Sequence, residues 1–199
     1  KGIWECPDLF PLKIEGTDAS KWVLIVNIGS ESVAGGSGCQ YFVGDFDGRQ
    51  FVVDSNQPPS NDSGEPANWV DHGKDFYAAV SWSDVPKEDG RRLWLGWLSN
   101  WQYANNIPTH PWRSAMSIPR SLALRTTTDG LRMVQSPVKE LRTLREEKTE
   151  LINLTIENGT LALGSKGISG KRLEIIADVK INNASEIGFR LRTGNEEAS

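Results

Sequence analysis

Apolar and polar positions alternate in short runs along this chain, and turn residues punctuate the runs at close intervals. That is a strand pattern. The apolar stretch from Lys21 to Gly29 is closed by glycine and predicts a buried strand. Residues 40–53 predict a hairpin turning at Asp47-Gly48, because an Asp-Gly pair tolerates the positive φ of a tight turn. Asp45 and Asp47 could be read as a metal-ligand pair, but turn chemistry accounts for them better. Residues 58–66, rich in Pro, Ser, Asn, Asp and Gly, predict a loop.

The pattern then starts again. Asp75–Val80 repeats Asp8–Leu12, and Arg92–Leu98 repeats the run at Trp22. Ser121–Arg125, the turn Asp129-Gly130 and Leu131–Val134 repeat the hairpin around Asp47-Gly48. Two successive units of about four strands each are what propeller blades look like. A β-sandwich gives similar spacing. A propeller needs more than two blades to close, so further chain is expected before Lys1.

Residues 138–149 read as a linker, in which Leu141, Leu144 and the charged run Arg145–Lys148 make a helical turn or an extended connector. Short alternating runs follow at Leu151–Ile156, Thr160–Leu163, Leu173–Ile181 and Ile187–Leu191. They predict the start of an antiparallel β-sandwich over 150–199, with Arg192-Thr193-Gly194-Asn195 as a hairpin lacking its partner strand. The expected class is all-β: the C-terminal part of a propeller over 1–137, the linker, then an incomplete sandwich.

Composition narrows the function. A formal net charge of -4 without a basic stripe excludes a nucleic-acid binder. No run of about eighteen apolar residues exists to span a membrane. Cys6 and Cys39 make neither a disulfide framework nor a four-ligand zinc site; they either pair or stay free. The chain opens without Met or a signal-peptide pattern and ends just after a strand-like run, so both ends read as cut. Sequons stand at Asn61, Asn153, Asn158 and Asn183. All 8 Trp residues precede residue 113, which separates an aromatic-rich region from a later one of another kind.

Gly-x-Ser-x-Gly, Walker, His-Glu-x-x-His and Cys-x-x-Cys motifs are all absent from the sequence. His72 and His110 read as solvated loop residues. Carboxylate chemistry supported by aromatics is left. Glu5 lies among Ile3, Trp4, Cys6 and Pro7. An apolar setting favours a protonated carboxyl, which suits a general acid, while an ordinary surface glutamate remains the competing reading. Gly96–Tyr103 is dense in groups that bind sugars, whose apolar ring faces pack on indoles. Strand alternation puts Leu95 and Trp97 on one side, so Trp97 can face a pocket. Packing of Trp94, Trp97 and Trp101 between sheets is the alternative.

Trp4–Phe10 resembles the Glu-Cys-Pro motif of glycoside hydrolase family 32, the family of invertases, inulinases, levanases and fructan exohydrolases. Residues 37–48, 71–79, 93–103 and Met116-Ser117-Ile118-Pro119-Arg120 resemble it too, in the same order. The likeness is greatest to levanases and fructan β-fructosidases. It implies a five-bladed propeller followed by a β-sandwich, and retaining hydrolysis of terminal β-D-fructofuranosyl linkages in levan, inulin or sucrose, with no metal and no cofactor. By the family's pattern Glu5 is the general acid/base with Cys6 beside it, and Trp97 stacks on the fructosyl unit. Asp75 and Tyr77 are further substrate-binding candidates at the start of the next blade. An extracellular location is expected.

One departure matters. The family's nucleophile lies in a Trp-Met-Asn-Asp-Pro-like motif and its transition-state stabiliser in an Arg-Asp-Pro motif, and neither occurs in these 199 residues. The chain is therefore expected to be a fragment that is inactive alone. A fructosyltransferase, a non-catalytic carbohydrate-binding protein and a plain interaction propeller remain alternatives. The late region's lack of Trp and Tyr counts against binding by the sandwich.

Overall fold

The computed structural model describes residues 3–55, 68–157 and 159–192. The loop expected over 58–66, the sequons at Asn61 and Asn158, and residues 193–195 of the expected last hairpin lie outside the described residues. The chain divides into two compact units, Lys1–Leu144 and Arg145–Ser199.

The first unit is built of β1 (Trp4–Lys13), β2 (Ser20–Ile28), β3 (Gly38–Phe46), β4 (Phe51–Val53), β5 (Asn68–Trp69), β6 (Tyr77–Ser81), β7 (Arg92–Leu98), β8 (Ala115–Met116), β9 (Arg120–Thr127) and β10 (Gly130–Pro137). They form two antiparallel sheets with the orders β1-β2-β3-β4 and β6-β7-β9-β10. Short β5 pairs with β3 and short β8 with β7. Each sheet is a four-stranded meander, the unit of which propeller blades are made.

The hairpin turns follow their sequence signals. The Asp47 carboxylate accepts the backbone N–H groups of Gln50 at 2.7 Å and Arg49 at 2.8 Å. Those bonds hold it below the ordinary carboxylate range. Gly48 and Gly130, in the matching turns of the two sheets, have φ of 94° and 99°, which glycine adopts without steric cost. Asp45 is not part of a metal pair: Lys21 bridges it at 2.7 Å to Asp54 at 2.9 Å.

The repeat is sharper in space than in sequence. In the first sheet Glu5 pairs with Asn27 and, after a one-residue shift, Asp8 pairs with Ile25. In the second, Tyr77 pairs with Trp97 and, after the same shift, Val80 pairs with Leu95. The first strand of each sheet, β1 and β6, carries a β-bulge at the same place, with Cys6 at φ 44° and Ala78 at φ 49°. Glu5 therefore matches Tyr77. The sequence match of Asp75 to Asp8 is out of step, because residue pattern alone does not register an inserted bulge.

The two sheets share one core. Phe10, Val23, Ile25, Tyr41 and Val43 of the first face Phe76, Trp94, Leu122, Leu124 and Met133 of the second. Ile25 and Leu124 are fully buried, and truncating a side chain of that kind to alanine costs about 2–5 kcal/mol. Gly96 makes room for Phe76, since a Cβ there would lie 3.0 Å from its ring. Polar links add to the apolar ones. Ser81 N–H donates to the Asp8 carboxylate at 2.9 Å, and Glu15 N–H to the Leu124 carbonyl at 2.8 Å.

A 3₁₀ helix, Lys139–Leu144, occupies the expected linker. Its Glu140 pairs with Arg91 at 2.8 Å. In the second unit, taken by itself, the described residues include a 3₁₀ turn at Leu163–Lys166 and no β-strand. The runs at Leu151–Ile156, Thr160–Leu163, Leu173–Ile181 and Ile187–Leu191 are thus not paired into ladders here. Alternation marks which side of a run is apolar, but a strand also needs a neighbour's N–H and C=O groups and a cover for that side. Ile152 and Ile176 remain 75% exposed.

Candidate active site

The bulge in β1 decides where Glu5 points. An extra residue bends its strand and re-aims the side chains beside it. Here Cys6 takes the left-handed conformation, and its carbonyl accepts a hydrogen bond from Asn27 Nδ2 at 3.1 Å. Asn27 is fully buried, so the bulge is tied to the interior of the sheet. Glu5 then reaches the second sheet, where its Oε2 accepts a hydrogen bond from the Tyr77 hydroxyl. The two repeats meet through the residues that open their bulges.

Tyr77 is buried. Burial first, and then the Glu5 carboxylate, push its phenol well above the ordinary tyrosine value, with a hydrogen bond from Trp101 acting the other way. Its hydroxyl therefore stays protonated, a donor to Glu5 at neutral and mildly alkaline pH.

Glu5 itself is exposed. The apolar enclosure expected from its sequence neighbours is not formed by them. Ile3 is 79% exposed and Trp4 56%, and Trp4 packs beside Phe42 with ring centroids 5.9 Å apart. Alternation along a strand sends adjacent side chains apart, so neighbours in sequence are poor walls for one another. The wall near Glu5 comes from the second sheet instead.

That wall divides the tryptophans. Trp94 fills the core against Phe76 at 5.6 Å, as the packing alternative had it. Trp97 is half-buried, edge-on to Tyr77 at 6.2 Å and 4.9 Å from Trp101, whose ring is half exposed. Trp97, Tyr77 and Trp101 thus form one aromatic group joined to Glu5. Asp75 lies two residues before Tyr77 and is not among these contacts. Its Oδ1 is buried without a hydrogen-bond partner among the described residues, and burial raises its carboxyl, opposed by Lys74.

The remaining candidates resolve simply. Cys6 is exposed, Cys39 is buried, and both are free. Burial pushes the Cys39 thiol well above its ordinary range, with Asp71 and Cys6 adding to the effect. His72 and His110 are exposed. Among the described residues no three His, Cys, Asp or Glu side chains gather as a metal site. An open groove of about 550 Å³ lined by Val70, Asp71, Arg120 and Gln135, among others, shares no residue with the Glu5 group. Its Arg120 is already tied to Asp71 at 2.9 Å and Gln135 at 3.0 Å, and sits 4.2 Å over the Phe76 ring.

Two polar residues escaped the sequence reading. Asp8 ties the sheets together, and the fully buried Asn100 holds the loop that carries Trp101. The glycine run before Ser37 is the signal for the second: at Gly36, of φ 71°, a Cβ would lie 2.1 Å from Asn100 Oδ1. Chemically, the group offers a carboxylate steadied by a neutral phenol, beside indole faces on which a ring can rest. It can pass a proton to and from an atom held there.

The model of the glycosyl hydrolases family 32 N-terminal domain matches residues 1–137. The levanase of Bacillus subtilis (strain 168) is 53% identical over 199 residues, covering 98% of this chain and 28% of that protein. The extracellular exo-inulinase of Aspergillus niger is 48% identical over 139 residues, covering 68% of this chain and 25% of its own. The crystal structure of exo-inulinase from Aspergillus awamori superposes with a TM-score of 0.61 at 44% identity, over 68% of this chain and 26% of that one. The chain thus spans only 28% and 25% of the length of these two curated relatives.

Proposed function

This chain belongs to glycoside hydrolase family 32, and from that premise we propose that the complete protein hydrolyses terminal β-D-fructofuranosyl linkages of fructans and sucrose, with Glu5 as its general acid/base. The bond from the buried Tyr77 hydroxyl to Glu5, beside the Trp97–Trp101 pair, carries this assignment. A proton-transferring carboxylate and a sugar-stacking surface are the two parts such a reaction requires on its leaving-group side.

The reaction runs in two steps. Glu5, protonated, gives its proton to the departing glycosidic oxygen while a second carboxylate takes the fructosyl carbon. Glu5, now ionised, removes a proton from water, which releases fructose with retained configuration. Trp97 supports the fructosyl ring. Asp75 offers an acceptor for a substrate hydroxyl, and an acceptor with no hydrogen-bond partner among the described residues suits that part. Tyr77 acts on Glu5 instead of on substrate, since its hydroxyl is already directed there.

The second carboxylate of a retaining pair stands about 5–5.5 Å from the first. With no Asn-Asp-Pro or Arg-Asp-Pro motif in these residues, we assign it to a part of the enzyme outside them. In this reading the two sheets are successive blades of a five-bladed propeller and residues 150–199 begin a β-sandwich. Secretion follows the pattern of the exo-inulinase relative, which is named extracellular.

The test is product analysis on levan, inulin and sucrose with the complete enzyme. Fructose is expected as the released sugar, with no longer oligosaccharide formed from sucrose. Longer oligofructosides would make the protein a transferase on the same acid/base, and absence of turnover on all three substrates would refute the assignment. The Tyr77–Glu5 bond has its own consequence. Tyr77→Phe is expected to lower kcat by about 10- to 100-fold, the scale of one hydrogen bond to a charged group, with KM little changed. Steady-state kinetics on sucrose checks it.

A further inference from the structure

We propose that Asn100 is a positioning residue that sets the Trp97–Trp101 wall beside Glu5 and so governs affinity for the fructan chain. The inference rests on the function proposed above. Asn100 has no solvent exposure, and its amide joins three segments distant in sequence. Nδ2 donates to the carbonyls of Lys74 at 2.9 Å, Gly35 at 3.0 Å and Ser37 at 3.2 Å. Oδ1 accepts the backbone N–H of Gln102 at 2.9 Å and of Ser37 at 3.3 Å. An amide has two N–H groups and two acceptor lone pairs; with one N–H shared between two of the three carbonyls, the side chain is used in full.

The segments it joins flank the wall. Lys74 leads within three residues to Tyr77, the partner of Glu5. Asn100 is followed directly by Trp101, whose own N–H donates to Ser37 Oγ at 3.1 Å. Trp97 lies between, 6.2 Å from Tyr77 and 4.9 Å from Trp101. The amide thus holds Lys74 directly and the Trp101 loop through the Gln102 N–H and Ser37, which fixes both flanks of Trp97. The backbone at Gly36 closes around this amide so tightly that no other side chain fits there without displacing Asn100. A side chain that only filled loop space would not need to tie together these two particular segments. In an interior of low dielectric each of these bonds is strong, and losing one leaves a buried group unpaired.

Asn100→Asp keeps the shape and the acceptors but turns a carboxylate toward three carbonyls. Ser37→Ala is the milder change and removes only the acceptor for the Trp101 N–H. In the complete enzyme both are expected to raise KM for levan about 3- to 10-fold, the scale of one lost aromatic stack, with kcat changed less. Two indoles this close and tilted by 54° couple in circular dichroism, and Trp101→Phe gives the reference spectrum without that coupling. Ser37→Ala and Asn100→Asp are expected to move toward that reference. A lowered melting temperature with wild-type KM and an unchanged Trp couplet would overturn the proposal and leave Asn100 a purely structural residue. If Asn100→Asp does not fold, Ser37→Ala decides alone. If the wild-type enzyme does not act on fructans, the function assignment fails on its own, while the circular dichroism still decides whether Asn100 sets the indole pair.

Discussion

The 199-residue chain by itself is expected to release no fructose from levan or sucrose above buffer background. A retaining mechanism needs a nucleophilic carboxylate about 5 Å from the acid/base, and without it there is no fructosyl-enzyme for water to attack. Among the described residues Glu5 is bonded to Tyr77, whose ring stands beside Trp97, and neither a phenol nor an indole replaces that carboxylate. On the function proposed above, the expected deficit is one of parts and not of folding. The two sheets share a continuous core with Trp94, Ile25 and Leu124 fully buried, so strand circular dichroism should persist in a preparation that shows no turnover. Fructose production by this chain at a measurable rate would place the whole catalytic pair inside it.

Glu5→Gln in the complete enzyme is expected to cut fructose release from levan by about 10²–10⁴-fold, the usual scale of general acid–base catalysis. Glutamine keeps the size of the side chain and can still accept the Tyr77 hydrogen bond, but it can neither donate a catalytic proton nor take one from water. Glu5 is exposed, so the exchange leaves the core untouched and the loss reads as chemistry. An interaction propeller or a carbohydrate-binding protein has no use for that proton, and in either case the substitution would leave function intact.

Much of the fold was legible because its signals are local. Asp47-Gly48 and Asp129-Gly130 announce their turns through backbone conformations few residues adopt, and the apolar run of β2 announces a buried strand. The doubling of the unit was legible as well, but its register was not. The bulges at Cys6 and Ala78 insert a residue that no side-chain pattern marks, so Glu5 and Tyr77, 72 positions apart, did not read as equivalents. Glu5 itself was picked out by motif, while its supposed apolar setting was inferred from neighbours that alternation turns outward. The contacts that shape the site, from Tyr77 to Glu5 and from Asn100 to Lys74 and Gly35, join loops and strands brought together only by folding. The late runs after Leu151 show the opposite limit: a clear alternating pattern with no ladder among the described residues, because pairing depends on a neighbouring strand.

The most direct measurement of whether Glu5 is the acid/base compares its Gln variant on two leaving groups. In levan the departing sugar oxygen needs a proton; in 4-nitrophenyl β-D-fructofuranoside the phenolate leaves with the bonding electrons and needs none. The first equivalent of nitrophenolate from Glu5→Gln should appear within about 10-fold of the wild-type rate, while levan hydrolysis falls by the full 10²–10⁴-fold. Equal losses on both substrates would contradict the assignment and make Glu5 a residue of binding or structure.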